Sequence, residues 1–109
     1  MLRKFFQSCK FCTIGFYGLN EISKFFIDII YQMELLADEK IQKILIIENG
    51  NVEYKGLDTC SRDAKKFLEM DSIIICDIMN VQKIKEKLER LCYYGNVTDL
   101  YEIINAKKP

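Results

Sequence analysis

A turn with the sequence Gly-Leu-Asn-Glu-Ile-Ser begins at Gly18 and has the spacing of a phosphate-binding turn. In dinucleotide-binding turns, three glycines make the tight turn, admit the pyrophosphate close to the backbone and let the helix pack on the strand. Here only Gly18 is a glycine, because Asn20 and Ser23 take the other two positions. Asn tolerates positive φ, but its side chain crowds a pyrophosphate. We therefore interpret Gly18, Leu19, Asn20 and Glu21 either as a phosphate cradle or as a helix start that no longer binds.

Two further carboxylates follow apolar runs and could contact a ligand. Glu48 ends the second run, where an acid hydrogen-bonds a ribose hydroxyl in dinucleotide domains; the alternative is a solvated residue entering an Asn-Gly turn. Asp77 follows a later run and could bind a cation or a sugar hydroxyl, or simply point to water. Together with Glu21, these residues would make an acidic edge, which disfavours a pyrophosphate ligand.

Cysteine chemistry is a third candidate, because Cys9 and Cys12 form a CxxC motif. Such a motif can bind metal or be redox-active. This one precedes a predicted strand, however, whereas redox motifs open a helix, and the sequence has neither a second CxxC nor a histidine. We expect the five cysteines to be free thiols in packing roles, with Cys76 buried and no metal bound.

Composition limits the class of protein. The 109 residues are expected to form one domain, 1–109, and 16 basic residues balance 16 acidic residues. No net field favours nucleic acid or an anionic membrane, so neither is an expected partner. The sequence shows no signal peptide and no apolar run near the ~20 residues of a membrane span, so we expect a cytoplasmic protein.

Apolar runs of strand length alternate with helical stripes along the chain. The predicted strands are 11–17, 44–47, 57–60, 73–76 and 96–98, with a short extra strand at 52–54. The predicted helices are a stripe over 22–33, a helix over 61–68 with Ser61 as its N-cap, one that Asn80 caps and Gly95 stops, and a last one capped by Asp99. The aromatic residues early in the chain are expected in the core, although two of them could instead cover a partner from a short leading helix: Phe5, Phe6, Phe11, Phe16, Phe25 and Phe26.

This alternation predicts an α/β fold: a small, doubly wound, mainly parallel sheet with helices on both faces. Right-handed crossovers predict a strand order such as 3-2-1-4-5. Phe16, Ile46 and Ile74 should lie on its central strands.

Five segments together resemble a known family. They are the turn at 18–23 with Gly18 and Glu21 retained, the strand and acid at 46–49, the segment 54–57 around Gly56, the strand at 72–76, and the closing segment 95–100. Over residues 11–106 the chain resembles the small Rossmann-like NAD(P)-binding domain of polysaccharide-biosynthesis proteins, which include sugar-nucleotide epimerases, dehydratases and acyltransferases. The resemblance implies NAD(P) or a nucleotide sugar as ligand, and a role in cell-surface polysaccharide metabolism.

Three functions remain open from the sequence. The first is a non-catalytic Rossmann-like binding domain for a nucleotide or sugar nucleotide, accessory to polysaccharide biosynthesis, since no nucleophile–base pair is recognisable. The second is an interaction module with a decayed ligand site, acting as a homodimer or docked on a partner enzyme. The third is a fragment of an oxidoreductase or epimerase that needs a partner chain for catalysis.

Overall fold

The computed structural model describes residues 12–33 and 41–105. Its five strands are β1 (Cys12–Tyr17), β2 (Ile41–Ile47), β3 (Asp58–Cys60), β4 (Ser72–Ile75) and β5 (Asn96–Asp99). All neighbouring pairs are parallel, in the order β3-β2-β1-β4-β5. The helices are α1 (Glu21–Gln32), α2 (Val81–Arg90) and α3 (Leu100–Asn105), with a 3₁₀ helix at Lys66–Glu69. The predicted doubly wound sheet and strand order are confirmed, as are the central positions of Phe16, Ile46 and Ile74.

Two apolar layers cover the sheet, one on each face. On the first face, α1 and α3 cover alternate residues of the central strands, including Ile14, Phe16 and Ile46. On the second, α2 and the 3₁₀ helix cover the residues between them, including Tyr17 and Ile47. Both faces of the strands are therefore buried, which is why the strands appear in the sequence as continuous apolar runs.

The aromatic residues divide between core and surface. Phe16 and Phe26 are buried, and their ring centroids lie 6.3 Å apart. Phe25 is 58% exposed, so the expectation that it lies in the core is wrong. Its position on α1 turns it away from the sheet, whereas residues 23, 26, 27 and 30 form the buried stripe of that helix. Phe5, Phe6 and Phe11 lie outside the described residues.

The connections on either side of β3 differ from the prediction. Residues 52–54 form no strand, because the Tyr54 hydroxyl donates to Asp28 Oδ1 of α1 at 2.6 Å and holds this segment against the helix. The helix predicted over 61–68 is also wrong, since only the 3₁₀ helix forms there. Lys87 Nζ of α2 donates to the Arg62 carbonyl at 2.6 Å, so the backbone at the start of that segment is engaged by a side chain.

The C-terminal end of α2 does not depend on Gly95. Tyr93 N donates to Leu88 O and Cys92 N donates to Glu89 O, the two hydrogen bonds of a Schellman motif. The left-handed residue of that motif is Cys92, with φ 57°. Gly95 serves another purpose, because a Cβ there would overlap the Tyr93 ring and lie 2.6 Å from Asp71 O. The prediction of Gly95 as the helix stop is therefore wrong, while Asp99 does cap α3, accepting from Glu102 N at 2.8 Å.

Helices in the described ranges are all too short or too polar to cross a lipid bilayer.

Candidate functional site

The candidate site lies at the carboxyl ends of the strands, where β1 and β4 are neighbours. The chain leaves β1 to form α1 on one face, and it leaves β4 to form α2 on the other face. Ligands of doubly wound sheets bind in the crevice that such a divergence opens. The segments after β1, β2, β3 and β4 all meet here, so residues far apart in the sequence come together.

Arg62 occupies the centre of this crevice. Its guanidinium forms a fork with Glu48, with Nε donating to Oε1 at 2.9 Å and Nη2 donating to Oε2 at 3.1 Å. Its third nitrogen, Nη1, donates to Asp77 Oδ2 at 3.0 Å. The three side chains, here named the Arg62 cluster, are each about one-fifth exposed, at 21%, 22% and 19% for Glu48, Arg62 and Asp77. The cluster joins the ends of β2, β3 and β4.

Surrounding groups fix the position of Arg62. Its guanidinium carbon lies 5.1 Å from the centre of the buried Tyr17 ring, a cation–π distance. Its backbone N–H donates to Asn49 Oδ1 at 2.9 Å, and its carbonyl accepts from Lys87. Lys87 Nζ also donates to the Tyr17 hydroxyl at 3.0 Å. Both the backbone and the side chain of Arg62 are therefore held.

The turn after β1 has the backbone shape of a ligand-binding turn, since Gly18 has φ 104°. A Cβ there would lie 3.3 Å from the Asp77 backbone and Cβ, so a side chain would be strained in both conformation and space. Leu19 N donates to Glu48 Oε2 at 3.0 Å, which directs this backbone donor at a carboxylate of the chain itself.

Asn20 and Ser23 form a capping box at the start of α1. Asn20 Oδ1 accepts from Ile22 N and Ser23 N, at 2.9 and 3.1 Å, and Ser23 Oγ accepts from Asn20 N at 2.9 Å. Asn20 Nδ2 also donates to Cys76 O at 2.9 Å, which links α1 to the end of β4. With Gly18 N bonded to Ile47 O, the N–H groups of residues 18–20, 22 and 23 all have acceptors within the chain.

The carboxylates of the Arg62 cluster are charged at neutral pH. Burial alone would raise the pKa of Glu48, but hydrogen bonds from Arg62, Leu19 and Asn49 outweigh it and lower the pKa below its ordinary value. The pKa of Asp77 is lowered in the same way, with burial opposed by hydrogen bonds from Asn80 and Arg62. Two carboxylates against one guanidinium leave the cluster with one net negative charge.

Five of the six predicted site residues gather at this crevice: Gly18, Leu19, Asn20, Glu48 and Asp77. Glu21 does not, because its side chain is 96% exposed and lies 4.0 Å from Lys24 on the surface of α1. The alternatives of a solvated Glu48 and a solvated Asp77 are wrong, since both are bonded to Arg62. Whether any of the six residues binds a cofactor stays a prediction.

Arg62 was not among the predicted site residues. One signal could have found it, because Arg62 lies two residues beyond β3, and the carboxyl ends of parallel strands share one edge of the sheet. It is the only basic residue within two positions of the carboxyl end of any of these strands, and the carboxylates of the same edge require a counter-charge.

Three cysteines are free thiols: Cys60, Cys76 and Cys92. Cys76 is buried as predicted, and its burial raises the pKa of the thiol to about 12. Burial also raises the pKa of Cys60. Neither is therefore a thiolate at neutral pH. Residues 12–33 and 41–105 contain no group of three or more His, Cys, Asp or Glu residues placed to hold a metal, and Cys9 lies outside them.

Comparisons with models of protein families, with curated proteins and with solved structures gave no match. The geometry of the crevice is therefore the basis for a proposed function.

Proposed function

We propose that this chain is a non-catalytic, doubly wound interaction module whose ligand crevice is closed by its own side chains. One observation carries the proposal: five backbone N–H groups that could bind a phosphate at the start of α1, those of residues 18–20, 22 and 23, already donate to Ile47, Glu48, Ser23 and Asn20. A helix N-terminus binds anions through free N–H groups and the helix dipole. With those groups engaged, the crevice offers an anion little to bind, and the module acts through its surface on other proteins.

Electrostatics support the same proposal. A pyrophosphate entering the crevice would displace the Glu48 carboxylate from Leu19 N and compete for Arg62. Both carboxylates of the Arg62 cluster would then lie unpaired beside an anion, at low local dielectric. Removing one partner of a partly buried ion pair costs more than the pair contributes. The resemblance to domains of polysaccharide biosynthesis suggests an enzyme of that metabolism as partner.

The second candidate is a binding domain for NAD(P) or a nucleotide sugar. Gly18 favours it, since its φ of 104° and its close approach to Asp77 are what a ligand-binding turn requires. In this case the guanidinium of Arg62 would rotate away from Glu48 and pair with a phosphate. A cytoplasmic location and a homodimer remain proposals in both cases.

A thermal-shift screen distinguishes the two candidates. A ligand at 100 times its dissociation constant stabilises the fold by ~2.7 kcal/mol. In a domain of this size that raises the melting temperature on the order of 10 °C or more, at ~4–8 °C per kcal/mol. We expect no such shift with millimolar NAD(H), NADP(H) or UDP-sugars. A large shift that the R62A variant abolishes would establish the second candidate and contradict the first.

A double variant tests which residues close the crevice. Asn20→Gly with Ser23→Gly restores the glycine pattern of a dinucleotide turn. If those two side chains alone blocked the site, the variant would gain dinucleotide binding. We expect no gain, because Glu48 still occupies Leu19 N and the Arg62 cluster is untouched.

A further inference from the structure

The outer edge of β5 is an unoccupied side of the sheet among the described residues. β5 pairs with β4 on its inner side, and no strand within the described ranges pairs with its outer side. A groove of about 340 Å³ lies between this strand and α2, here named the β5 groove. Its floor is apolar, formed by Leu88, Tyr93 and Val97. An open strand beside an apolar groove can accept an extended segment as an additional strand.

Charge on α2 is divided between two sides of the helix. Lys83, Lys87 and Arg90 are spaced 4 and 7 residues from the first and lie on one side, where Lys87 contacts Tyr17. The other side lines the β5 groove with Gln82, Lys85, Glu86 and Glu89. The side chains of α2 at the rim of the groove therefore differ in charge from those on the basic side of the helix.

The rim of the β5 groove is acidic because its one lysine is neutralised. Lys85 Nζ lies 2.9 Å from Asp99 Oδ2 and 2.8 Å from Glu102 Oε1, so its charge is shared by two carboxylates. Within the described part of the chain, Glu86 and Glu89 have no ion-pair partner. The groove therefore presents unpaired negative charge above an apolar floor.

We propose that the outer edge of β5 and the β5 groove bind an extended, basic segment of a partner protein, which adds to the sheet as a sixth strand. This rests on the proposed function as an interaction module and specifies its partner. The backbone of the segment pairs with β5, and every second side chain faces α2. Lysine or arginine fits those positions, since the apolar stem covers Tyr93 and Val97 while the charge reaches Glu86 and Glu89.

A second copy of this chain does not fit the same edge. β5 has the sequence Asn-Val-Thr-Asp, which contains no basic residue. Pairing two copies through β5 would therefore bring two acidic rims together, and like charges across an interface oppose association. The charge of the groove instead selects a segment of opposite sign.

The test uses the full chain and a short capped peptide in which Lys and Val alternate, labelled for fluorescence anisotropy. We expect the peptide to bind and to slow amide hydrogen exchange in β5. The E86K/E89K variant should weaken binding about tenfold or more. E53K/E69K makes the same change of net charge at exposed positions outside the groove and should alter binding by less than about twofold. E86Q/E89Q should cause an intermediate loss of peptide binding. Circular dichroism of this variant checks that the helix is intact, so that the loss cannot be attributed to misfolding of a charge-reversed helix.

Three outcomes would overturn the proposal. The first is that the Lys-Val peptide does not bind the native chain. The second is that E86K/E89K and E53K/E69K weaken peptide binding equally. The third is that a peptide N-methylated along its backbone, which cannot pair with a strand, binds as well as the unmethylated peptide. A dimer that E86K/E89K strengthens, seen by sedimentation, would also overturn it by placing a second copy at this edge. A nucleotide-induced thermal shift would instead contradict the closed crevice and leave the β5 groove unaffected.

Discussion

Arg62 stabilises the carboxyl edge of the sheet because it is the common partner of two carboxylates that are mostly withdrawn from water. Glu48 and Asp77 follow different strands, and neither contacts another cation in the described ranges. The guanidinium thus compensates the desolvation of both carboxylates at once. Its backbone contacts with Asn49 and Lys87 keep it in place even without the side-chain pairs.

Replacing Arg62 with Ala should lower the free energy of unfolding by about 2 kcal/mol, because two partly buried carboxylates lose their counter-charge. Arg62→Lys should lose less, since it keeps the charge but not the fork that fits Glu48. Urea denaturation measures both. Arg90→Ala is the matched control, because Arg90 is exposed, and it should change stability by less than about 0.5 kcal/mol. Equal effects at the two positions would mean that the cluster contributes little.

The effect of Arg62→Ala should depend on pH. The pKa values of Glu48 and Asp77 are lowered from 4.5 and 3.8, so their contribution to stability is complete above those values and is lost as the pH falls through the lower folded values. Protonated carboxyls need no counter-charge. The stability difference between the native chain and R62A should therefore be largest near neutral pH and shrink below about pH 4. Asp99, which pairs with Lys85, also titrates in this range. Its contribution to stability is the same in both proteins and cancels in the difference. A difference that stays constant in urea titrations from neutral to acid pH would contradict this account.

Two of the three cluster residues were predicted as site residues from the sequence, and Arg62 was not, although its place two residues after a predicted strand was a usable signal. Glu48 and Asp77 follow β2 and β4, whose buried apolar runs mark where the sheet ends. β3 has only three residues, two of them exposed, so its end was predicted at residue 60 without a buried apolar run that would single out Arg62 as a site residue. The contact is made between residues 14 or 15 positions apart, across two crossovers, and no local pattern encodes it.

At the scale of elements, the ends of the two long helices are capped in two different ways, by side chains in α1 and by backbone hydrogen bonds in α2. α1 begins with reciprocal side-chain caps from Asn20 and Ser23, which looked in the sequence like a loss of glycines. α2 begins without a side-chain cap, because Asn80 donates instead to Asp77, and it ends in the Schellman motif at Cys92. The residues that break the dinucleotide pattern thus have a structural role of their own.

Cys92→Gly should stabilise the protein by about 0.5–1 kcal/mol. A left-handed conformation costs a non-glycine residue about 1–2 kcal/mol, which glycine avoids. Part of that gain in stability is lost, because the unfolded chain has more conformational entropy with glycine at this position. Thermal or urea denaturation would measure the gain. Cys92→Ala is the control, because it removes the thiol while keeping the Cβ, and it should bring no stabilisation. A similar gain in both variants would assign the effect to the thiol.

Boundaries of elements were predictable where hydrophobic periodicity was strong and failed where side chains from elsewhere decided them. α1 and β4 lie within one residue of their predicted bounds and β1 ends where predicted, whereas β2 begins at Ile41, three residues before the predicted run 44–47. The segment 61–68 does not, because Lys87 of α2 binds the Arg62 carbonyl and the chain turns. Gly95 was misplaced as a stop because an ordinary residue, Cys92, takes the left-handed position two residues after the end of α2.

For the whole molecule, the sequence determines the fold more directly than it determines the function. Strands buried on both faces require helices on both sides, so continuous apolar runs separated by helical stripes predict a doubly wound sheet. A crevice at the switch point follows from that topology. Whether the crevice holds a ligand depends on a few polar contacts between distant segments, and we propose that those of Arg62 close it.

The central position of β1 has a consequence for the order in which this protein can fold. β1 precedes the other four strands of the described residues in the chain, yet one of its two neighbours, β4, is synthesised only after β2, β3 and the segment that follows β3. Until then, a nascent chain with β1, β2 and β3 paired exposes one complete edge of β1, a strand that is buried in the folded protein. Unpaired edges of this kind promote association between chains. The interval before β4 emerges is therefore when this protein is most vulnerable to aggregation.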